Sequence, residues 1–248
     1  MDRRVSDQVA LITGAASGFG RGLTQALRAR GVQVVACDVD EAGAREVAAD
    51  TGALFVHCDV SDPEQNVAAV ALAVERFGGL DMAFLNAGVA SETAPGENFD
   101  LALYRRAMGA NLDGVVFGIN AVLPAMRARG GGSIVATASL AGLTAVPMDP
   151  LYSANKHAVV GLVRSLGPAL ASEEIRINAV CPGFAETGII KPIREQLLEF
   201  GLPIIPVERV IDVVIGLFDG EMTGECWFVQ AGRESQAFNF RGIPGPRP

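Results

Sequence analysis

Residues 9–12 form a short apolar run, and Thr13-Gly14-Ala15-Ala16-Ser17-Gly18-Phe19-Gly20 follows it directly and opens a helical pattern that reaches about Arg30. Glycines at such a place let the backbone turn tightly and approach a pyrophosphate, whose charge then rests at the helix N-terminus. A second apolar run, residues 32–37, ends at Asp38, about twenty residues past the glycines, where a carboxylate can accept hydrogen bonds from adenosine ribose hydroxyls. The same carboxylate repels a 2′-phosphate. Neither Ser17 nor Val39, the neighbouring places for an offsetting basic residue, supplies one, so the expected cofactor is NAD rather than NADP. The plainer alternative for Asp38 is a solvated residue at the start of the next helix.

Strand and helix patterns then alternate: helix near 40–49, strand 54–57, helix 63–77, strand 82–85. Strands this apolar, separated by helices, predict an α/β protein with a parallel sheet covered on both faces. Asp59-Val60 lies just past the third strand, where an adenine would rest, and Asn86-Ala87-Gly88 follows the fourth. A long helix is expected over about 99–129, with Asn111 in its middle and a kink at Pro124. The glycines at 130–132 make a turn, because a fifth strand, 133–138, begins at once and delivers Ser139 at its end. Asp149 and Pro150 have the N-cap and first-turn character of a helix start, and that helix should reach about Ala171. A sixth strand, 175–180, ends in Cys181-Pro182-Gly183. The glycines, prolines and short helical patches of 184–206 suggest a mobile flap. A helix at 207–218 and a strand at 225–229 complete seven strands, and the proline-bearing tail 241–248 is read as disordered or as an arm. Residues 1–248 are read as one domain.

On a helix, Tyr152 and Lys156 sit one above the other, so an ammonium can be held beside a phenol. A tyrosine ionises near pH 10, and acting as a base near neutrality requires a shift of roughly 3 units, on the order of 4 kcal/mol. Lys⁺ favours the phenolate, and a cationic nicotinamide ring nearby would add to it. Taken alone, such a pair also occurs on ordinary amphipathic helices.

Composition narrows the partners. The chain of 248 residues is 50% hydrophobic and only 19% charged, as befits a globular protein with a large interior. Its formal charge of −8 argues against nucleic acid and anionic membranes as partners. Cys37, Cys58, Cys181 and Cys226 show no C-x-x-C spacing and are read as reduced core thiols, which fits a cytoplasmic location. No apolar run is long enough to span a bilayer, and residues 1–8 are charged rather than signal-like. His57 and His157 have no cluster around them, so no metal site is expected. Ser139 lacks a His or acid at triad spacing and suits a donor better than a nucleophile.

Thr13-Gly14-x-x-x-Gly18-x-Gly20, Asn86-Ala87-Gly88, Asn111, Ser139, Tyr152-x-x-x-Lys156 and Pro182-Gly183 stand in the order and spacing of the short-chain dehydrogenase/reductase family, which the chain resembles over nearly its whole length. The resemblance implies a Rossmann-type doubly wound sheet of seven mostly parallel strands. It also implies hydride exchange between an alcohol carbon and a nicotinamide. On that resemblance Tyr152 is the acid/base and Ser139 hydrogen-bonds the substrate oxygen. Lys156 would lower the tyrosine pKa and hold the nicotinamide ribose, and Asn111 would keep a water relay. The cofactor would lie along Gly14, Ser17, Gly18, Phe19 and Gly20, then Asp38 and Val39, Asp59 and Val60, and Asn86 to Gly88. It would end at Tyr152, Lys156, Pro182, Gly183, Ala185 and Thr187, the last at the carboxamide. Ser139–Leu143, Lys156–Gly161, Cys181–Phe184 and the ending Gln230-Ala231-Gly232 are further similar to the 15-hydroxyprostaglandin dehydrogenase group. That group has a substrate-facing glutamine where this chain has Asp149, so Asp149 is either a helix cap or a substrate contact. Phe184 either lines the pocket or belongs to the core. The expected function is NAD-dependent interconversion of an apolar secondary alcohol and its ketone by a homodimer or homotetramer. A non-catalytic NAD(H)-binding protein that senses redox state or regulates a partner is the alternative.

Overall fold

The computed structural model describes residues 7–242, so most of the tail read as disordered or as an arm lies outside the described residues. The strands are β1 (Val9–Thr13), β2 (Gln33–Asp38), β3 (Leu54–His57), β4 (Met82–Leu85), β5 (Gly132–Thr137), β6 (Ile175–Pro182), β7 (Cys226–Val229) and β8 (Gln236–Ala237). They form a sheet of order β3-β2-β1-β4-β5-β6-β7-β8. Every pairing from β3 to β7 is parallel. The helices are α1 (Gly18–Ala29), α2 (Glu41–Thr51), α3 (Pro63–Phe77), α4 (Leu101–Met108), α5 (Gly114–Arg129), α6 (Pro150–Leu170), α7 (Arg194–Glu199) and α8 (Val207–Asp219).

Successive side chains of a strand point to opposite faces, and β1 shows what this does for the core. Val9 and Leu11 join one buried cluster with Val70 of α3, Val122 of α5 and Val159 of α6. Ala10 and Ile12 join the other, with Leu23 and Leu27 of α1 and Val210 and Val214 of α8. A sheet buried on both faces needs strands without polar alternation, which is why these runs read as continuously apolar. Because β1 lies between β2 and β4, the strand order reverses there, and the crevice at the carboxyl ends of β1 and β4 is the place such a fold offers a dinucleotide.

Three expectations need correction or refinement. The sheet has eight strands, not seven: Gln236–Ala237 adds an antiparallel edge to β7, pairing Trp227 with Ala237 and Phe228 with Gln236. Two residues leave no periodicity to read. What holds them is the Phe238 N–H to Cys226 O bond of 2.7 Å, with the Arg164 guanidinium 3.7 Å from the Phe240 ring centre just beyond. The long helix starts at Leu101, where the Asp100 carboxylate accepts from Ala102 N (2.7 Å) and Leu103 N (3.0 Å). It runs on as α5 through Pro124, and it is interrupted by a π-helix, Gly109–Asp113, that contains Asn111. The 184–206 segment holds a 3-10 helix (Gly188–Ile193) and α7, is closed by a bridge between Ala185 and Ile205, and buries Ile190, Leu197 and Ile205.

Candidate active site

The glycine loop is shaped by close approach. Gly14 and Gly18 have φ of 65° and 50°, and a Cβ on Gly20 would lie 2.0 Å from Gly14 O. Ser17 caps α1 in extended conformation without a side-chain bond, leaving the first N–H groups of the helix to a ligand. Phe19 packs on the second core cluster. Asp38 closes this loop from below: Oδ2 accepts from Ala16 N at 2.8 Å and Oδ1 from Asp40 N at 2.9 Å. Each carboxylate oxygen has a lone pair left for a further donor. Val39 is exposed beside it. Asp59 is exposed and accepts from Ser61 N and Oγ, whereas the Val60 side chain is buried in the core, so only its backbone is left for an adenine.

Asn86, Ala87 and Gly88 brace the crevice. Thr13 Oγ1 accepts from Asn86 N (2.9 Å) and Ala87 N (3.1 Å), Asn86 Nδ2 donates to Thr13 O, and Thr137 Oγ1 donates to Asn86 Oδ1 (3.0 Å). A Cβ on Gly88 would meet Asn111 Oδ1 at 2.9 Å, with Lys156 Nζ at 3.6 Å. The Asn111 amide in turn holds both polar groups of Val89, accepting from its N–H (2.8 Å) and donating to its carbonyl (2.9 Å). Across the crevice, Pro182 ends β6, Gly183 N donates to Val229 O, and Ala185 is buried. Phe184 is half-buried, and its carbonyl accepts from Ile205 N. Thr187 returns to the glycine loop, its Cγ2 lying 3.2 Å from where a Cβ on Gly18 would be.

Ser139, Tyr152 and Lys156 meet at the carboxyl edge. Ser139 Oγ accepts from Ala141 N (3.1 Å), donates to Pro182 O (3.4 Å) and stands beside the Tyr152 phenol. Lys156 is buried; its Nζ donates to Thr137 O at 2.7 Å and lies 5.5 Å from the Tyr152 ring centre. Without the cofactor, burial dominates the phenol. Tyr152 is pushed up to about 12 by burial, with Asp149 and Cys181 adding to the rise and the Ser139 hydroxyl opposing it. Burial also pulls Lys156 down to about 8, with Cys181 opposing. Asp149 is the N-cap of α6, as its position suggested, with Oδ1 accepting from Tyr152 N at 3.0 Å. Its second oxygen does not stand free: Oδ2 accepts from Ser91 N at 3.1 Å.

The sequence reading missed Thr13 and Thr137 as side chains that organise the site, though each is the last residue of a strand leading into it. It also missed the Thr137 carbonyl, since a backbone acceptor carries no residue signal. His57 lies 3.7 Å from Glu41, and His157 Nδ1 is bonded to Ser153 O. The four cysteines are free and buried. No helix among the described residues is long and apolar enough to cross a membrane.

Fold and crevice together define a Rossmann-type dinucleotide-binding protein. The chain belongs to the short-chain dehydrogenase family: the family model described as short chain dehydrogenase matches residues 8–198. Among relatives, the cyclohexanol dehydrogenase of Acinetobacter sp. (strain SE19) is 38% identical over 200 residues, 79% of this chain and 80% of that protein. The levodione reductase of Leifsonia aquatica is 38% identical over 201 residues, 78% of this chain and 75% of that one. A levodione reductase crystal structure superposes with a TM-score of 0.84 at 32% identity, covering 91% of this chain and 97% of that one. A 3-ketoacyl-(acyl-carrier-protein) reductase from Brucella melitensis complexed with NADH does so with a TM-score of 0.83 at 30% identity, covering 91% and 98%. These relatives are not specifically those of the 15-hydroxyprostaglandin dehydrogenase group.

Proposed function

We propose that this protein is an NAD-dependent dehydrogenase that interconverts an apolar secondary alcohol and its ketone, with Tyr152 as the acid/base. The observation that carries this reading is the convergence of the Ser139 hydroxyl, the Tyr152 phenol and the buried Lys156 ammonium at the mouth of the crevice. A dinucleotide fits what is present: a loop that only glycine can follow at residue 20, free N–H groups at the start of α1, spare acceptors on Asp38, and Thr187 against Gly18. The nicotinamide supplies the hydride acceptor or donor when bound. Ser139 and Tyr152 would then hold the substrate oxygen, and Tyr152 would take the hydroxyl proton as the carbonyl forms or return it in the other direction. Lys156, anchored to Thr137 O, would hold the ribose hydroxyls, and Asn111 would steady the loop beside it.

The apolar character of the substrate is supported by the side chains exposed on 184–206, Ile189, Leu198, Phe200 and Leu202, and by Met148 just before α6. Similarity to a cyclohexanol dehydrogenase favours a ring alcohol. Steady-state reduction of NAD⁺ with cyclohexanol, steroid and fatty secondary alcohols tests the reading. Tight NAD binding without turnover on any of them would leave the redox-sensor reading in its place. The outward face of α6 carries Ala154, Ala158 and Gly161, which let a second helix approach closely and support a homodimer or homotetramer; light scattering checks this.

Asp38 decides the cofactor. Asp38→Ala removes a ribose acceptor and the charge facing a 2′-phosphate, so NAD affinity should fall and preference over NADP should relax. It also frees Ala16 N and Asp40 N, so part of the loss comes from a looser glycine loop. Competitive titration of the parent and the variant with both cofactors measures this, and a parent protein that prefers NADP refutes the assignment.

A further inference from the structure

We propose that Asp149 is a positioning residue of the catalytic centre, tying the helix turn that carries Tyr152 to the loop that leaves β4. The inference rests on Tyr152 being the acid/base, but its structural half can be tested apart from that.

The loop between Leu85 and α4 contains no strand or helix that could fix its path. Side chains do so instead. Asn111 holds Val89 by both its backbone groups, and two residues on, Asp149 Oδ2 accepts from Ser91 N at 3.1 Å. The next residue, Glu92, has a φ of 57°, a conformation that a residue other than glycine keeps only where its surroundings over-determine it. Its carboxylate is paired with Arg106 of α4 at 2.9 Å. Gly88, at the start of this loop, abuts Lys156 and Asn111, so a shift of the loop is felt at the catalytic lysine.

The other oxygen of Asp149 accepts from Tyr152 N at 3.0 Å. One carboxylate therefore joins two backbone N–H groups 61 positions apart in sequence. Only a carboxylate suits both, because an amide offers one oxygen and would turn its NH₂ towards the second donor. An ordinary cap needs a single acceptor, and serine, threonine or asparagine would serve as well. The charge has a cost for the proposed chemistry. The ionisable groups around the phenol are Lys156 on the same helix, Asp149 at its start and Cys181 at the end of β6, and Asp149 is one that disfavours phenolate. A carboxylate placed so against the tyrosine is explained by the tie it makes rather than by electrostatic help.

Asp149→Asn tests this, because asparagine keeps one acceptor oxygen and so can satisfy only one of the two donors. The variant should melt cooperatively. Amide hydrogen exchange at Ser91 or at Tyr152 should quicken, and kcat should fall about ten- to a hundred-fold, as expected of a slightly misplaced acid/base. The acid limb of the rate profile should move to lower pH, since a neutral amide no longer opposes the phenolate. Ser91→Pro removes the donor instead of the acceptor, so it should lower kcat while leaving the acid limb where it was. Unchanged exchange at both Ser91 and Tyr152 in Asp149→Asn overturns the tie whatever the turnover does. Parental kcat and pH profile overturn the positioning role. A rise in KM alone, with kcat and profile unchanged, also overturns it, because it would place the carboxylate on the substrate.

Discussion

Tyr152→Phe should lower turnover by at least about 10²–10⁴, the usual contribution of a positioned general acid/base, while leaving NAD affinity close to that of the parent. Phenylalanine keeps the ring that Lys156 overlies and removes only the hydroxyl, so packing of α6 and the Asp149 cap are retained. The energetic demand on this hydroxyl is larger than the sequence alone suggests. A free tyrosine ionises near 10, but burial places this one at about 12, so working as a base near pH 8 asks for about 4 units, roughly 5 kcal/mol. Ser139 is the neighbour that opposes the rise; the rest must come from positive charge arriving with the cofactor and from Lys156 in its charged form. Phenolate absorbance gives a direct check, because the chain has only two tyrosines, Tyr104 and Tyr152. In the protein without cofactor, Tyr152 should stay protonated to above pH 10; with NAD⁺ its ionisation should move down by several units, and the shift should vanish in Tyr152→Phe. Retained turnover in that variant removes Tyr152 from its role.

The glycine-rich turn and the alternation of apolar strands with helices were legible because each depends on residue types that physics leaves little choice about. Gly20 abuts the Gly14 carbonyl, and doubly covered strands cannot alternate with polar residues. What escaped was carried by backbone or by distance. Lys156 is anchored by the Thr137 carbonyl, which any residue at 137 would present. Asp149 reads as a helix cap from its own neighbours, whereas its second partner, Ser91, lies 58 positions away and contributes only an N–H. The π-turn at Asn111 arises inside an otherwise helical pattern and leaves the apolar period almost undisturbed. The burial of the tyrosine escaped for a different reason. Spacing on a helix tells that an ammonium is near a phenol, but not that both are buried, which raises the one pKa and lowers the other.

Burial of Lys156 leads to a result that separates stability from function. With its pKa pulled from 10.5 to about 8, the folded, cofactor-free protein binds this proton less tightly than the unfolded chain does. The penalty is therefore full below pH 8, is relieved as pH rises from about 8 to 10.5, and is gone above that. The gap corresponds to roughly 3 kcal/mol, against which stands the hydrogen bond to Thr137 O, about 1–1.5 kcal/mol. Lys156→Met, similar in length and apolar, should accordingly stabilise the cofactor-free protein at pH 7 by about 1–2 kcal/mol, a rise in Tm of roughly 2–8 °C for a chain of this size. That advantage over the parent should shrink through the same pH window, and other titrating groups cancel in the comparison. Turnover should nevertheless fall by at least about 10², and NAD affinity with it, because one ammonium is asked both to favour the phenolate and to hold a ribose. A variant that melts lower than the parent at pH 7 would mean that the ammonium is well compensated where it lies. A variant that melts higher and turns over poorly would mean that the protein keeps a destabilising buried charge for the sake of the reaction at Tyr152.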